Sequence, residues 1–119
     1  MRRMLIVEDE RDLSGCLQDF FSAKGFTVVS AFSGEEALEQ LKQDAPDVIL
    51  LDILLPGLSG IEVLKRVKEL HPTARVVMVS SVDQTEIKYQ AHRYGAVGYV
   101  TKPFDFSDDT WAPVFTPPP

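Results

Sequence analysis

The sequence predicts an α/β fold in which helices flank a doubly wound, five-stranded parallel sheet. Two observations predict it: short apolar runs alternate with longer amphipathic stretches, and helix-capping residues stand at the boundaries between them. Strands that alternate with helices form a parallel sheet with right-handed crossovers, because a short turn cannot return a strand in the same direction. With 119 residues, 45% of them hydrophobic, the chain is long enough for one domain.

Five apolar runs rich in β-branched residues have the composition of strands buried on both faces. They are residues 4–7, 27–31, 48–51, 76–79 and, more weakly, 98–100. Between them, apolar residues recur at helical spacing and predict four amphipathic helices. These apolar positions are Leu13, Leu17, Phe20 and Phe21, then Ala37, Leu38 and Leu41, then Ile61, Leu64 and Val67, then Ile87, Ala91 and Tyr94.

Capping residues mark the starts of three of these helices. A capping box pairs two residues three positions apart, and their side chains bond the free amides of the first turn. The pairs with this spacing are Ser33 and Glu36, Ser59 and Glu62, and Asp83 and Glu86. Gly25 and Gly95 stand where a helix ends in a left-handed residue.

Charge and composition exclude several classes of function. The chain has 12 basic and 18 acidic residues, a net charge of −6, and its cations are scattered, which argues against direct nucleic-acid binding. The only cysteine, Cys16, excludes an intrachain disulfide and multi-thiolate metal sites, and its position beside Leu17 predicts a core residue. No apolar run is long enough to cross a membrane. We therefore expect a soluble, cytoplasmic protein.

Polar residues follow the predicted strands at the edge of the sheet where ligands bind in this fold class. They are Glu8, Asp9 and Glu10 after the first strand, Asp52 after the third, Ser80 and Ser81 after the fourth, and Thr101, Lys102 and Pro103 after the fifth. If the first and third strands are neighbours, the carboxylates meet and repel unless cations neutralise them. Lys102 supplies one positive charge, and an all-oxygen cluster selects a hard ion such as Mg²⁺ for the rest.

Five motifs occur in a specific order along the chain. They are V-E-D-E at 7–10, L-D-I-L-L-P-G at 51–57 with Gly60, S-S at 80–81, G-A at 95–96 and T-K-P-F at 101–104. Together they resemble the receiver domain of two-component response regulators, a chemotaxis-regulator-like family, over nearly the whole of 4–104. The resemblance implies a flavodoxin-like strand order of 2-1-3-4-5. It assigns 1–104 to the receiver domain.

The family resemblance also implies roles for individual residues. Asp52 is expected to accept a phosphoryl group from a phosphohistidine on a sensor histidine kinase or phosphotransfer protein. Asp9, Asp52 and the backbone carbonyl of Leu54 are expected to hold Mg²⁺, with Glu8 supporting directly or through water. Catalysis of such a transfer depends on charge neutralisation and alignment more than on covalent catalysis. Lys102 and the metal provide the positive charge.

The resemblance further implies a conformational switch that signals to an output domain or a downstream protein. Ser80 is expected to bond a phosphoryl oxygen after transfer, and Tyr99 to change rotamer in response. For Tyr99, simple packing is an equally weighted alternative. The family also has a cis peptide bond at the position of Lys102–Pro103.

The end of the chain departs from the family, whose domains close with an amphipathic fifth helix. Four of the eight prolines fall in the last seven residues. The fifth helix is therefore predicted to be missing or much shortened, with one turn capped by Ser107 and ended by Pro113, and 105–119 to form an irregular Pro-rich tail. An apolar sheet face needs a cover. We favour an irregular cover formed by Phe106, Trp111, Val114 and Phe115, which a homodimer could accompany. In a second alternative, another chain covers the face. In a third, the tail is not native to the domain.

Two other functions compete with the phosphoacceptor. A pseudo-receiver keeps the fold as an interaction domain and does not use phosphate, but the intact Asp9, Asp52, Ser80 and Lys102 argue against it. A phosphatase with an aspartyl nucleophile usually carries a second acid two positions later, where this chain has Leu54.

Overall fold

A computed structural model describes residues 2–115, in which strands and helices alternate throughout. The strands are β1 (Arg3–Val7), β2 (Thr27–Ala31), β3 (Val48–Leu51), β4 (Arg75–Ser80) and β5 (Gly98–Thr101). The helices are α1 (Arg11–Ala23), α2 (Gly34–Leu41), α3 (Gly60–Leu70), α4 (Thr85–Arg93) and α5 (Asp108–Phe115). All strand pairs are parallel, in the order β2-β1-β3-β4-β5. The predicted fold class and strand order are confirmed.

The sheet separates two hydrophobic cores. Alternate residues of the central strands face α2 and α3 on one side, where Leu51 packs with Leu64 and Val67. The other side faces α1 and α5, where Leu50 packs with Phe21 and Trp111. All four residues of β3 are buried. Burial on both faces explains why this strand is uniformly apolar in the sequence.

Two of the three predicted caps are confirmed. The Ser33 Oγ accepts a hydrogen bond from the amide of Glu36 at 3.1 Å, and Ser59 caps α3 in the same way. The third is wrong. The N-cap of α4 is Gln84 rather than Asp83, and the Gln84 side chain forms no capping bond. The Asp83 carboxylate pairs with Lys88 at 2.6 Å instead.

The fifth helix, expected to be missing or much shortened, is present over eight residues. A missing helix and a single turn ended by Pro113 are both wrong, because α5 continues through Pro113. Burial outweighs the hydrogen bond that proline cannot donate. Trp111 and Val114 are fully buried against the sheet, and the indole Nε1 donates to the carbonyl of Asp105 at 2.8 Å. Arg75 Nη1 also donates to the carbonyl of Val114 at 3.1 Å. The cover is thus helical in its described part. The rest of the predicted tail, 116–119, lies outside the described residues.

Cys16 is exposed, so its predicted place in the core is wrong. The buried face of α1 is formed by Ser14, Leu17 and Phe21. Residue 16 lies two positions after Ser14, which places it about 200° around the helix from that residue. Among residues 2–115, no helix combines the length and apolar character that crossing a bilayer requires.

Candidate functional site

The carboxyl ends of β1, β3 and β5 bring three acids and one lysine together. Glu8 and Asp52 directly follow the neighbouring strands β1 and β3, whose last residues, Val7 and Leu51, are paired across the sheet. Lys102 directly follows β5. The predicted convergence of these residues therefore follows from the strand order.

Lys102 joins the two buried carboxylates. Its Nζ donates to Oε1 of Glu8 at 2.7 Å and to Oδ2 of Asp52 at 2.8 Å. Glu8 is 2% exposed and Asp52 is 4% exposed. Buried carboxylates need such a partner, because an isolated ionised group in the interior loses its hydration without compensation.

The environment shifts the pKa values of two of these groups. Burial raises the pKa of Glu8 above its ordinary value, and the hydrogen bond from Lys102 opposes that rise only partly. For Lys102, burial favours the neutral amine, but the hydrogen bonds to Asp52 and Glu8, together with the negative charges of these two carboxylates, outweigh burial and raise the pKa of Lys102. Lys102 is therefore a permanent cation in this site at neutral pH.

Glu8, Asp9 and Asp52 could together hold a cation. One carboxylate oxygen from each lies within 4.8 Å of the others, and Asp9 is exposed to solvent. Carboxylate oxygens are the donors that hard divalent ions such as Mg²⁺ prefer. Three acids beside one lysine leave negative charge for such an ion to neutralise, so the donor set fits Mg²⁺.

Two hydrogen bonds hold the segment that follows Asp52. The amide of Leu54 donates to Oδ1 of Asp52 at 3.0 Å, and the amide of Gly60 donates to the carbonyl of Ile53 at 2.8 Å. A Cβ at Gly60 would overlap the carbonyl of Asp52, so the close approach of α3 requires glycine there. Leu54 lines the same cleft as Asp9, Asp52 and Lys102.

The two expected switch residues both contact Val82. The Oγ of Ser80 accepts from the amide of Val82 at 3.3 Å, and the Tyr99 hydroxyl donates to the carbonyl of Val82 at 2.6 Å. Ser80 is fully buried, whereas Ser81 lines the cleft. Partial burial raises the pKa of Tyr99. The position of Val82 between Ser80 and Tyr99 was not predicted, because contacts made by backbone atoms leave no side-chain signal in the sequence.

Strands β4 and β5 connect this pair to the acidic cleft. Ser80 is paired with Thr101 across the sheet, and the amide of Lys102 donates to the carbonyl of Ser80 at 2.9 Å. The peptide bond between Lys102 and Pro103 is cis, as the family resemblance implied.

Comparison with known proteins agrees with this architecture. The family model for the response regulator receiver domain matches residues 4–109. The chain is 39% identical over 103 residues to the transcriptional regulatory protein DltR of Streptococcus agalactiae, covering 87% of this chain and 46% of DltR. It is 31% identical over 106 residues to sporulation initiation phosphotransferase F of Bacillus subtilis, covering 89% of this chain and 86% of that protein.

A solved structure supports the same assignment. The receiver domain of Francisella response regulator 1452 superposes with a TM-score of 0.87 at 28% identity, covering 97% of this chain and 95% of that domain. The chain spans less than half the length of DltR but most of the length of sporulation initiation phosphotransferase F. Receiver domains of this kind are signalling domains rather than enzymes in the ordinary sense. The chain belongs to the receiver domain family of two-component response regulators.

Proposed function

We propose that this domain accepts a phosphoryl group on Asp52 and uses the modification to signal. One observation carries the proposal: the Asp52 carboxylate is nearly buried, yet it lines an open cleft beside Asp9 and the Lys102 ammonium. A carboxylate held in that position can attack phosphorus, while Lys102 and a bound divalent cation would balance the charge of the incoming group.

In the proposed transfer, a carboxylate oxygen of Asp52 forms a bond to the phosphorus of a phosphohistidine. The P–N bond breaks, and its electron pair returns to the imidazole nitrogen, which takes up a proton. The product is an acyl phosphate on Asp52. Lys102 stays close to the transferred oxygens, since it already bonds Oδ2 of Asp52.

Mg²⁺ fits this scheme as the second source of positive charge. Asp9 and Asp52 would hold it with the backbone carbonyl of Leu54, and Glu8 would support it directly or through water. The bound ion would neutralise the phosphoryl oxygens during transfer. Glu8 already accepts from Lys102 through Oε1 and from the amide of Glu10 through Oε2, which suits a supporting role.

Ser80 and Tyr99 would form the switch. For Ser80 to bond a phosphoryl oxygen, its Oγ would leave the amide of Val82, and the loop after β4 would move toward Asp52. Tyr99 holds the carbonyl of the same residue, so this movement would release its hydroxyl. The side-chain change would then report phosphorylation on the surface beside β5.

The partners follow from the family. A sensor histidine kinase or a phosphotransfer protein would supply the phosphoryl group. The receiver would act on an output domain or on a separate protein. Its relatives include DltR, called a transcriptional regulatory protein and about twice as long, and sporulation initiation phosphotransferase F, of which this chain covers 86%. These two lengths are compatible with either arrangement.

Intact-protein mass spectrometry tests the proposal. The protein is incubated with a small phosphodonor and Mg²⁺, and we expect the mass of one phosphoryl group to be gained. Asp52→Asn should gain none, and omission of Mg²⁺ should strongly slow labelling of the unaltered chain. An unaltered chain that takes up no phosphoryl group under these conditions would instead indicate a pseudo-receiver.

A further inference from the structure

The segment 52–60 carries the phosphoacceptor and the expected Leu54 ligand, and it is secured at two places. At its base, the Gly60 amide bonds the carbonyl of Ile53. At its far side, the amide of Leu58 donates to the carboxylate of Glu35, at 3.3 Å to Oε2 and 3.5 Å to Oε1. Glu35 belongs to the first turn of α2, outside the site described above.

The backbone around Leu58 is shaped to receive this carboxylate. Gly57 has a φ of +74°, and a Cβ at this position would overlap the Glu35 carboxylate. A residue with a side chain would therefore meet both a strained backbone and the carboxylate itself. Gly57 thus gives Glu35 direct access to the loop.

The start of α2 also packs closely against the loop. A Cβ at Gly34 would lie 2.6 Å from Val63 Cγ2 and 3.1 Å from the carbonyl oxygen of Leu58. The Ser33 cap fixes where α2 begins, since its Oγ holds the amide of Glu36. Glu35 therefore projects from a fixed helix start onto the loop.

We propose that Glu35 is a positioning residue for the phosphoacceptor loop. By accepting from the amide of Leu58, it restricts the segment that carries Leu54 and so keeps the expected carbonyl ligand in place for a divalent cation. Glu35 touches neither the phosphoryl group nor the ion in this scheme. The inference rests on the proposed function, because positioning matters only if the loop serves phosphoryl transfer.

Hydrogen exchange of the Leu58 amide tests the contact itself, without metal or phosphodonor. In Glu35→Ala, we expect this amide to exchange at least several-fold faster than in the unaltered protein. Glu35→Gln should remain close to the unaltered protein, because its amide oxygen can still accept the bond. Glu39→Ala is the matched control: Glu39 lies one turn later on α2 and pairs with Lys42.

The Mg²⁺ dependence of phosphorylation tests whether the contact serves the site. We expect Glu35→Ala to need several-fold more Mg²⁺ for half-maximal labelling, with a smaller change in the rate at saturating Mg²⁺. Mg²⁺ affinity measured by calorimetry should fall by the same factor. Glu35→Gln should restore both values.

Several results would overturn the proposal. Unchanged exchange at Leu58 in Glu35→Ala would show that the bond does not restrain the loop. Faster exchange with an unchanged Mg²⁺ requirement, or an equal effect in Glu39→Ala, would remove the positioning role. Labelling that persists in Asp52→Asn would overturn the proposed function while leaving the exchange result intact, so the two failures are distinguishable.

Discussion

Lys102 Nζ lies 2.7 Å from Oε1 of Glu8, although the two residues are separated by 94 positions in the chain. The same nitrogen donates to Asp52, so one ammonium balances two buried carboxylates. Breaking a buried ion pair by removing one partner costs more than the pair contributes to stability, because the remaining charge stays buried without compensation. The charge balance of the site therefore depends on Lys102.

Lys102→Gln should destabilise the fold by about 3–5 kcal/mol at pH 7 without Mg²⁺. The loss should shrink as pH falls. The hydrogen bond from Lys102 opposes the rise in the pKa of Glu8 that burial causes, so without Lys102 the ionised Glu8 carboxylate disfavours the folded state more strongly. This penalty is absent below the ordinary pKa of 4.5 and grows as pH rises from there through the folded-state pKa. Urea denaturation of both proteins across this range measures the difference. A difference that does not vary with pH would contradict the expectation.

Gly98→Ala should destabilise the domain by about 1–3 kcal/mol, the usual cost of overpacking. A Cβ at Gly98 would overlap Pro113, so α5 would have to move away from β5. Gly15→Ala is the matched control: no atom lies within 4 Å of the added Cβ, and α1 should gain about 0.5–1 kcal/mol. Denaturation can be followed by fluorescence of Trp111, the only tryptophan. Equal effects of the two substitutions would refute the packing role of Gly98.

Acid should weaken the start of α5 through Asp105. Its Oδ1 accepts from the amide and hydroxyl of Ser107 and from the Thr110 hydroxyl, and these bonds lower the pKa of Asp105 to about 2. A lowered pKa gives stability that is complete above the ordinary value of 3.8 and is lost as pH falls toward 2.

Asp105→Ala tests this acid sensitivity. We expect the difference in unfolding free energy from the unaltered protein to be largest above pH 4 and to decline toward pH 2. Asp109→Ala, on the same helix outside these bonds, is the control. A difference for Asp105→Ala that is constant over this range would exclude the carboxylate as the titrating group.

The acyl phosphate on Asp52 should be long-lived, persisting for minutes rather than seconds in Mg²⁺ buffer. Leu54 and Val82 follow Asp52 and Ser80 by two positions, and neither side chain can orient an attacking water. Leu54 is 58% exposed, so a polar replacement can reach solvent at the cleft without disturbing the core.

Leu54→Asn should shorten the lifetime of the label several-fold, since its amide can hold water near the phosphorus. Leu70→Asn is the control, because Leu70 is a similarly exposed leucine at the end of α3. Decay is followed by loss of the phosphorylated mass. Loss of half the label of the unaltered protein within seconds would contradict the expected long lifetime.

The sequence alone predicted five strands alternating with the first four helices, and it predicted the residues of the acidic cleft. The uniformly apolar residues of β3 are typical of a strand buried on both faces, and Asp52 stands directly after them. In a parallel sheet, strand ends share one edge, so polar residues at those ends predict a common site. Both signals are local patterns, so the sequence alone contains them.

Contacts between distant segments determined the fifth helix and the position of the loop after β3. Pro113 is a helix breaker by local preference, yet burial of Trp111 against the sheet keeps α5 helical through it. The bond from Leu58 to Glu35 spans 23 positions and depends on where α2 begins relative to the loop. Free energy from burial and long-range hydrogen bonds exceeds local preference at such places, so only the tertiary structure determines them.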